Sequence, residues 1–231
     1  MRYPLLMTDV HVVRVFTGAD GNFGNPLGVV LDTSGLGEEQ RQEIATDLNF
    51  SETVFVENVA QALIRIFTPA AEIPLAGHPL VGTSWLLSEV AGEQVETLRP
   101  LRANNVDTWR EDGVTWIRAR IADAPPWHLV QLESPEAVDA LSVPPSPEKD
   151  LHEFWAWIDE AAGHLRARVF AAQYGIAEDQ ATGSGALRLL EALDRPLRIT
   201  QGLGSEIYAR PAASGRGDIG GRVVKDEVRR L

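Results

Sequence analysis

The feature that most constrains the fold of this chain is a glycine-containing turn that occurs twice. Its first copy, residues 72–79, reads Glu-Ile-Pro-Leu-Ala-Gly-His-Pro, and its second, residues 178–185, reads Glu-Asp-Gln-Ala-Thr-Gly-Ser-Gly. The two copies keep a constant offset of 106 residues, which places Gly77 opposite Gly183. Such an echo indicates an internal duplication when the surrounding elements repeat as well.

The elements on both sides of the turns do repeat. Arg-Ile-Phe at residues 65–67 precedes the first turn and Arg-Val-Phe at 168–170 precedes the second, and both segments are typical of strands. Apolar residues at helical spacing follow in residues 80–90 and again in 187–193. The sequence therefore predicts two related units, each containing a strand, a glycine turn and a helix.

We place a domain division after residue 100, which gives an N-terminal domain of residues 1–100 and a C-terminal domain of residues 101–231. The pattern is weak between residues 100 and 163, where prolines interrupt regular structure. Within that region, residues 114–121 alternate as a strand does, and the apolar spacing of residues 151–162 allows a helix.

Composition narrows the classes of function. The 231 residues include 21 Lys and Arg against 33 Asp and Glu, a net charge of −12, which disfavours binding to phosphate backbones or anionic lipid. The absence of cysteine excludes disulfides, thiolate metal sites and a cysteine nucleophile. The histidines lack metal-ligand spacing, and no apolar run reaches membrane-spanning length. We expect a cytoplasmic protein without a metal site, nucleic-acid partner or membrane contact.

A strand-to-helix turn with glycine exposes unpaired N–H groups at the positive end of a helix dipole, which favours an anion. Two such turns, at Gly77 and Gly183, can hold one small carboxylate between them. The alternative is that these glycines only make tight turns.

Four side chains can accept or carry protons: His78, Asp179 and Ser184 lie inside the turns, and Glu52 lies at the entry of a strand. A helix N-terminus disfavours imidazolium, so His78 suits the role of a neutral proton carrier. Simpler roles remain open for the others. Glu52 can be a solvated surface residue, Asp179 an N-cap, and Ser184 a residue at the start of a helix.

Three sequence blocks, taken together and in order, carry a resemblance to a known family. They are Ser-Glu-Thr at residues 51–53, Gly-His-Pro at 77–79 and Ala-Thr-Gly-Ser at 181–184. In these blocks the chain resembles the phenazine-biosynthesis isomerase (PhzF-like) family, which shares the diaminopimelate-epimerase fold.

The resemblance implies an α+β fold of two pseudo-symmetric domains, each a mostly antiparallel sheet wrapped round a central helix, with the active site between them. It also implies chemistry without a cofactor, a homodimer and a small carboxylate substrate. By match to the family's blocks, the catalytic residues are Glu52 as general acid/base, with His78, Asp179 and Ser184 in support, and the substrate-binding residues are Gly77, Gly183 and Thr182.

Three positions depart from the patterns of related proteins. Epimerase relatives carry paired cysteines where this chain has Ala76 and Thr182, so racemisation by two thiols is excluded. Gln180 stands where the PhzF-like pattern has proline. The expected function is a cofactor-independent isomerase that moves a proton on a small carboxylate. The alternative is a catalytically idle protein that binds such a carboxylate in the same cleft.

Overall fold

A computed structural model describes residues 8–142, 151–171 and 176–231. The α-helices are α1 (Glu38–Leu48), α2 (Gly77–Ala91), α3 (Pro135–Asp139) and α4 (Gly183–Leu193), and a 3-10 helix covers Ile121–Asp123. The strands are β1 (Asp9–Thr17), β2 (Asn25–Val30), β3 (Thr53–Asn58), β4 (Leu63–Phe67), β5 (Glu72–Ile73), β6 (Thr97–Pro100), β7 (Val106–Glu111), β8 (Val114–Arg120), β9 (His128–Gln131), β10 (His152–Asp159), β11 (His164–Ala171), β12 (Ile176–Asp179), β13 (Leu197–Gln201), β14 (Ser205–Ala212) and β15 (Arg216–Arg230).

Nine consecutive elements, β2 to β8 with α1 and α2, are matched in order by β9 to β15 with α3 and α4. The strand pairings match too. The pairs β2–β3 and β9–β10 are parallel, as are β4–β6 and β11–β13. The pairs β3–β4 and β10–β11 are antiparallel, as are β7–β8 and β14–β15. This repeated pairing confirms the predicted α+β fold of two related halves.

Each half surrounds one long helix with its sheet. Helix α2 packs against β1, β2, β3, β7, β8 and β15, and α4 packs against β14 and β15. Helix α2 is buried around much of its circumference, as expected for a helix inside a sheet that curls round it. It ends at Gly92, whose left-handed φ of 71° closes the last turn without the cost that a Cβ would add.

The two halves are joined by β15. Its first residues, Arg216 to Gly221, pair with β8, and Arg216 to Gly220 also pair with β14. Its later residues, from Arg222 to Arg230, pair with β1. One strand therefore completes the sheets of both halves.

An equivalent ion pair lies before each glycine turn. Arg65 on β4 makes a bidentate contact with Glu72 on β5, at 2.9 and 2.7 Å. Arg168 on β11 makes the same contact with Glu178 on β12, at 2.8 Å for both bonds. Two parallel N–H···O bonds fix the orientation of both side chains. The pairs thereby tie each turn to the strand before it.

The helix that the pattern allows over residues 151–162 is wrong, because this segment forms β10 and its turn into β11. Phe154, Trp155 and Trp157 favour strands, and the apolar residues fit both periods over so short a length. Pairing with β9 on one side and β11 on the other decides between them. The strand predicted at residues 114–121 is confirmed as β8. The domain division after residue 100 stays a prediction.

Within the described ranges, none of the helices has the length and apolarity that crossing a membrane requires.

Candidate active site

The N-termini of α2 and α4 meet at the two glycines predicted to pair. A Cβ added to Gly77 would lie 3.0 Å from the Cα of Gly183, and one added to Gly183 would lie 3.1 Å from the Cα of Gly77. These distances are tighter than most contacts of real Cβ atoms, so a side chain at either position would require the opposite backbone to move by a few tenths of an ångström. The N-cap residues, Ala76 and Thr182, provide no side-chain cap, which leaves N–H groups of both first turns free for a ligand.

A cavity of about 340 Å³ opens at this junction. Its walls come from both halves and are mainly apolar, with polar groups concentrated at the helix N-termini. The polar residues predicted for the site all line it: Glu52, His78, Asp179, Thr182 and Ser184. A mostly apolar cavity with a few convergent polar groups is typical of a small-molecule site.

Glu52 directly precedes β3, and its Oε2 lies 3.1 Å from Nδ1 of His78. Its side chain is 15% exposed, which excludes the alternative of a solvated surface glutamate. Burial, followed by the negative charge of Asp179, raises the pKa of Glu52 to about 8. Glu52 is therefore poised to hold and release a proton near neutral pH.

His78, the second residue of α2, is 4% exposed. Burial lowers the pKa of His78 to about 3, so the imidazole is neutral at physiological pH. A neutral ring beside Glu52 can pass a proton without becoming a stable cation.

Asp179 ends β12 and faces the start of α4. Burial raises its pKa to about 6, while hydrogen bonds from Thr182 and Asn25 act in the opposite direction. Thr182 Oγ1 donates to one carboxylate oxygen at 2.6 Å, and Asn25 Nδ2 donates to the other at 2.8 Å. Asp179 is thus held as an anion at neutral pH, where its charge acts on Glu52.

Asn25 and Gln201 support the site and were not predicted for it. Asn25 is 2% exposed and also donates to the carbonyl of Ala181 at 3.1 Å, which links the first half to the α4 turn. Gln201 is fully buried; it donates to Thr182 Oγ1 at 2.9 Å and accepts from the Thr182 backbone N–H at 3.1 Å. The Gly-Asn-Pro turn at residues 24–26 was the available signal for Asn25.

Ser184 lies on the cavity wall, where its hydroxyl accepts a hydrogen bond of 3.0 Å from Nε1 of Trp127. It is the second residue of α4, so the role of a helix-start residue and a role in the site are both compatible with its position. The Thr182 hydroxyl is engaged with Asp179 and Gln201. Direct contact of Ser184 or Thr182 with a substrate stays a prediction.

In the part of the chain that the structure describes, no group of three or more acidic or histidine side chains could hold a metal ion. What the cavity does bring together is a basic carboxylate, a neutral imidazole, a second carboxylate and two helix N-termini. This set can bind an anion and transfer protons beside it.

Comparison with known proteins identifies relatives that are named as isomerases. Residues 13–102 match the model of the PhzC-PhzF family, described as "phenazine biosynthesis-like protein". The chain is 33% identical over 220 residues to trans-2,3-dihydro-3-hydroxyanthranilate isomerase of Pseudomonas chlororaphis. That alignment covers 80% of this chain and 79% of the relative.

Solved structures show the same fold at low sequence identity. A PhzC/PhzF phenazine biosynthesis protein from Clostridium difficile superposes with a TM-score of 0.78 at 19% identity, covering 96% of this chain and 98% of the other. A hydroxyproline epimerase from Agrobacterium vitis superposes with a TM-score of 0.63 at 13% identity, covering 100% and 94%.

The predicted resemblance is thus confirmed by sequence and by fold, and the curated relatives are named as isomerases. This chain belongs to the phenazine biosynthesis-like (PhzF-like) family and is an isomerase.

Proposed function

We propose that this protein moves a proton on a small carboxylate-bearing substrate without a cofactor, with Glu52 as the acid and base. The observation that carries the proposal is the position of Glu52 beside His78, in the cavity where the N-termini of α2 and α4 meet. The substrate carboxylate would lie against the free N–H groups at Gly77 and Gly183. The reacting carbon would then face Glu52.

In the first step, ionised Glu52 takes a proton from a carbon made acidic by conjugation with the substrate carboxylate. The electron pair of the broken C–H bond delocalises toward that carboxylate, where the two helix N-termini stabilise the added charge. In the second step, the protonated Glu52 returns a proton at another carbon, and the double bond shifts. Neutral His78 can relay the proton between the two positions, and no oxidant or reductant is needed.

Trans-2,3-dihydro-3-hydroxyanthranilate, named in the relatives, is the first substrate to test, followed by other small unsaturated carboxylates. The assay incubates protein and substrate in heavy water and measures deuterium in substrate and product by mass spectrometry. Wild-type protein should incorporate deuterium on turnover. Glu52→Gln should lower the rate by about 10²- to 10⁴-fold, because the amide keeps the shape of the side chain and removes the base.

Glu39→Gln, an exposed position in the first turn of α1, is the matched control and should keep the wild-type rate. If Glu52→Gln exchanges deuterium at the wild-type rate, the base is a residue other than Glu52. A wild-type protein that binds these carboxylates and never exchanges a proton would instead be the idle binding protein.

A further inference from the structure

A second cavity, of about 420 Å³, adjoins the candidate active site. The two cavities share wall residues Leu75, Ala119, Arg120 and Asp123, so they lie side by side. The walls of the second cavity are richer in polar side chains. Besides the shared residues, these are Asn104, Asn105, Asp107, Arg118, Ser214 and Arg216.

Arg120 and Arg216 lie directly opposite each other in this second cavity. They are paired Cα positions of the antiparallel strands β8 and β15, so their side chains emerge on the same face. Both are exposed. Like charges directly opposite each other across two strands destabilise the pairing unless something neutralises them.

No carboxylate of the described residues makes an ion pair with Arg120 or Arg216, although Asp107 and Asp123 line the same cavity. The side chain of every other arginine in those residues has a hydrogen bond or an ion pair, whereas the side chains of Arg120 and Arg216 have neither. The neighbouring Arg118 is held bidentately by Asp218, at 2.7 and 3.0 Å. Asp123, on the shared wall, makes no ion pair with either arginine. The chain has a net charge of −12, so acidic residues are in excess. Two arginines on neighbouring strands that lack an acidic partner are therefore unusual in it.

We propose that Arg120 and Arg216 bind a second anionic group of the substrate, a carboxylate or a phosphate, while the first carboxylate lies at the helix N-termini. Guanidinium groups bind both kinds of oxyanion through parallel N–H···O bonds. The proposal rests on the proposed function and deepens it, because among the small carboxylates to be tested it favours a dianion that spans the two cavities over a monocarboxylate such as trans-2,3-dihydro-3-hydroxyanthranilate. Arg120 lies on the wall that the two cavities share, so a molecule that spans them would pass beside it.

Binding measurements by titration calorimetry test the proposal with benzoate against isophthalate, terephthalate and succinate. At least one dicarboxylate should bind wild-type protein ten or more times as tightly as benzoate. The double variant Arg120→Gln/Arg216→Gln should lose that advantage and bind benzoate within about twofold of wild type. Arg230→Gln is the matched control, since it removes one charge at the far end of β15, roughly 45 Å along the strand.

Dicarboxylates that bind no more tightly than benzoate would overturn the proposal. So would a double variant that weakens both kinds of ligand equally. Failure of the proposed function has a different signature, namely absence of deuterium exchange, and it leaves these affinities unchanged.

A second measurement tests the arginine pair independently of binding at the helix N-termini. Phenylglyoxal modifies unpaired arginines, and mass spectrometry of the digested protein reports the rate at each position. Arg120 and Arg216 should react faster than paired Arg118, and the dicarboxylate should protect them while benzoate does not. The contrary result is that inorganic phosphate protects the two arginines as well as the dicarboxylate does, while benzoate still binds at the same time. The arginines would then form a separate anion site, which contradicts a substrate dianion.

Discussion

At the scale of single residues, the local environments of Glu52, His78 and Asp179 suit these groups to different roles. Glu52 and Asp179 are both carboxylic acids, yet hydrogen bonds from Thr182 and Asn25 favour the ionised form of Asp179, whereas Glu52 has His78 as its neighbour. Their pKa values therefore separate, to about 8 and about 6. Groups whose environments push their pKa values apart are assigned as proton donor or acceptor and as fixed charge.

The first prediction at this scale concerns the pH dependence of turnover. Glu52 must be ionised to accept a proton, and its pKa is about 8. With a substrate that does not titrate in this range, kcat/KM should rise with pH and level off above pH 8. At pH 7 it should be about a tenth of the plateau. Stopped-flow or steady-state rates between pH 5.5 and 9.5 provide the profile.

Asp179→Asn supplies the test of the cause. Because the charge of Asp179 raises the pKa of Glu52, the variant should shift the rising limb of the profile to lower pH. The exposed variant Glu39→Gln should leave the limb in place. A profile that does not move in Asp179→Asn would contradict the coupling between the two carboxylates.

At the scale of elements, the site is made by two helices that begin at the same point. Contact between Gly77 and Gly183 places the N-termini of both helices side by side, an arrangement that neither half provides alone and that the proposed carboxylate site requires. The duplication thus has a direct chemical result, because a clamp with two sides needs two equivalent helices.

Gly77→Ala should therefore reduce activity more than it reduces folding. The added Cβ would force the helix N-termini apart, which should lower kcat/KM at least tenfold and cost about 1–3 kcal/mol of stability through overpacking. Gly37→Ala is the matched control: Gly37 is the N-cap of α1, has a φ of −77°, and has no atom nearer than 3.6 Å to the added Cβ. Thermal unfolding and turnover of both variants separate the two effects. Unchanged turnover in Gly77→Ala would refute the clamp.

The elements also show where reading the sequence succeeds. Helices α2 and α4 could be predicted because each combines a glycine start with an apolar face, both of which are local signals. Strand β10 could not, because the aromatic spacing in residues 151–162 fits helix and strand alike. Its identity depends on β9 and β11, and hence on pairing partners elsewhere in the chain.

The same limit applies within the site. Glu52 was found through its match to the family, and His78 and Asp179 through that match and their positions inside the glycine turns. The contact of Asn25 with Asp179 joins residues 154 positions apart, and nothing local in the sequence indicates it. The opposition of Arg120 and Arg216 likewise depends on the register between β8 and β15.

At the scale of the whole molecule, stability should depend on pH through buried acids. Glu153 on β10 is fully buried, and neither of its carboxyl oxygens has a hydrogen-bond partner in the described residues. Burial raises its pKa to about 8. The folded protein keeps this proton where the unfolded chain has lost it, so the contribution of Glu153 to stability is complete below about pH 4.5 and declines up to about pH 8.

Glu153→Gln should remove this contribution. Relative to wild type, the variant should gain stability as pH rises from 4.5 to 8, by an amount on the order of a few kcal/mol, and the gain should be constant above that. Urea unfolding at pH 4.5, 7 and 9 measures the difference. Glu160→Gln, at an exposed position in the turn after β10, should show no such trend. A difference independent of pH would show that Glu153 is ionised in the folded protein.

The long strand β15 also has a consequence for how the protein is made. Strand β1 has β15 as one of its two neighbours, and 207 residues separate the first residue of β1 from the first of β15. At about 5–20 residues per second, the ribosome needs roughly 10–40 s to reach that partner. During this time one edge of β1 is without its partner strand and is open to pairing with another nascent chain. We therefore expect the yield of folded protein to depend on translation speed and to rise with chaperones that cover strand edges.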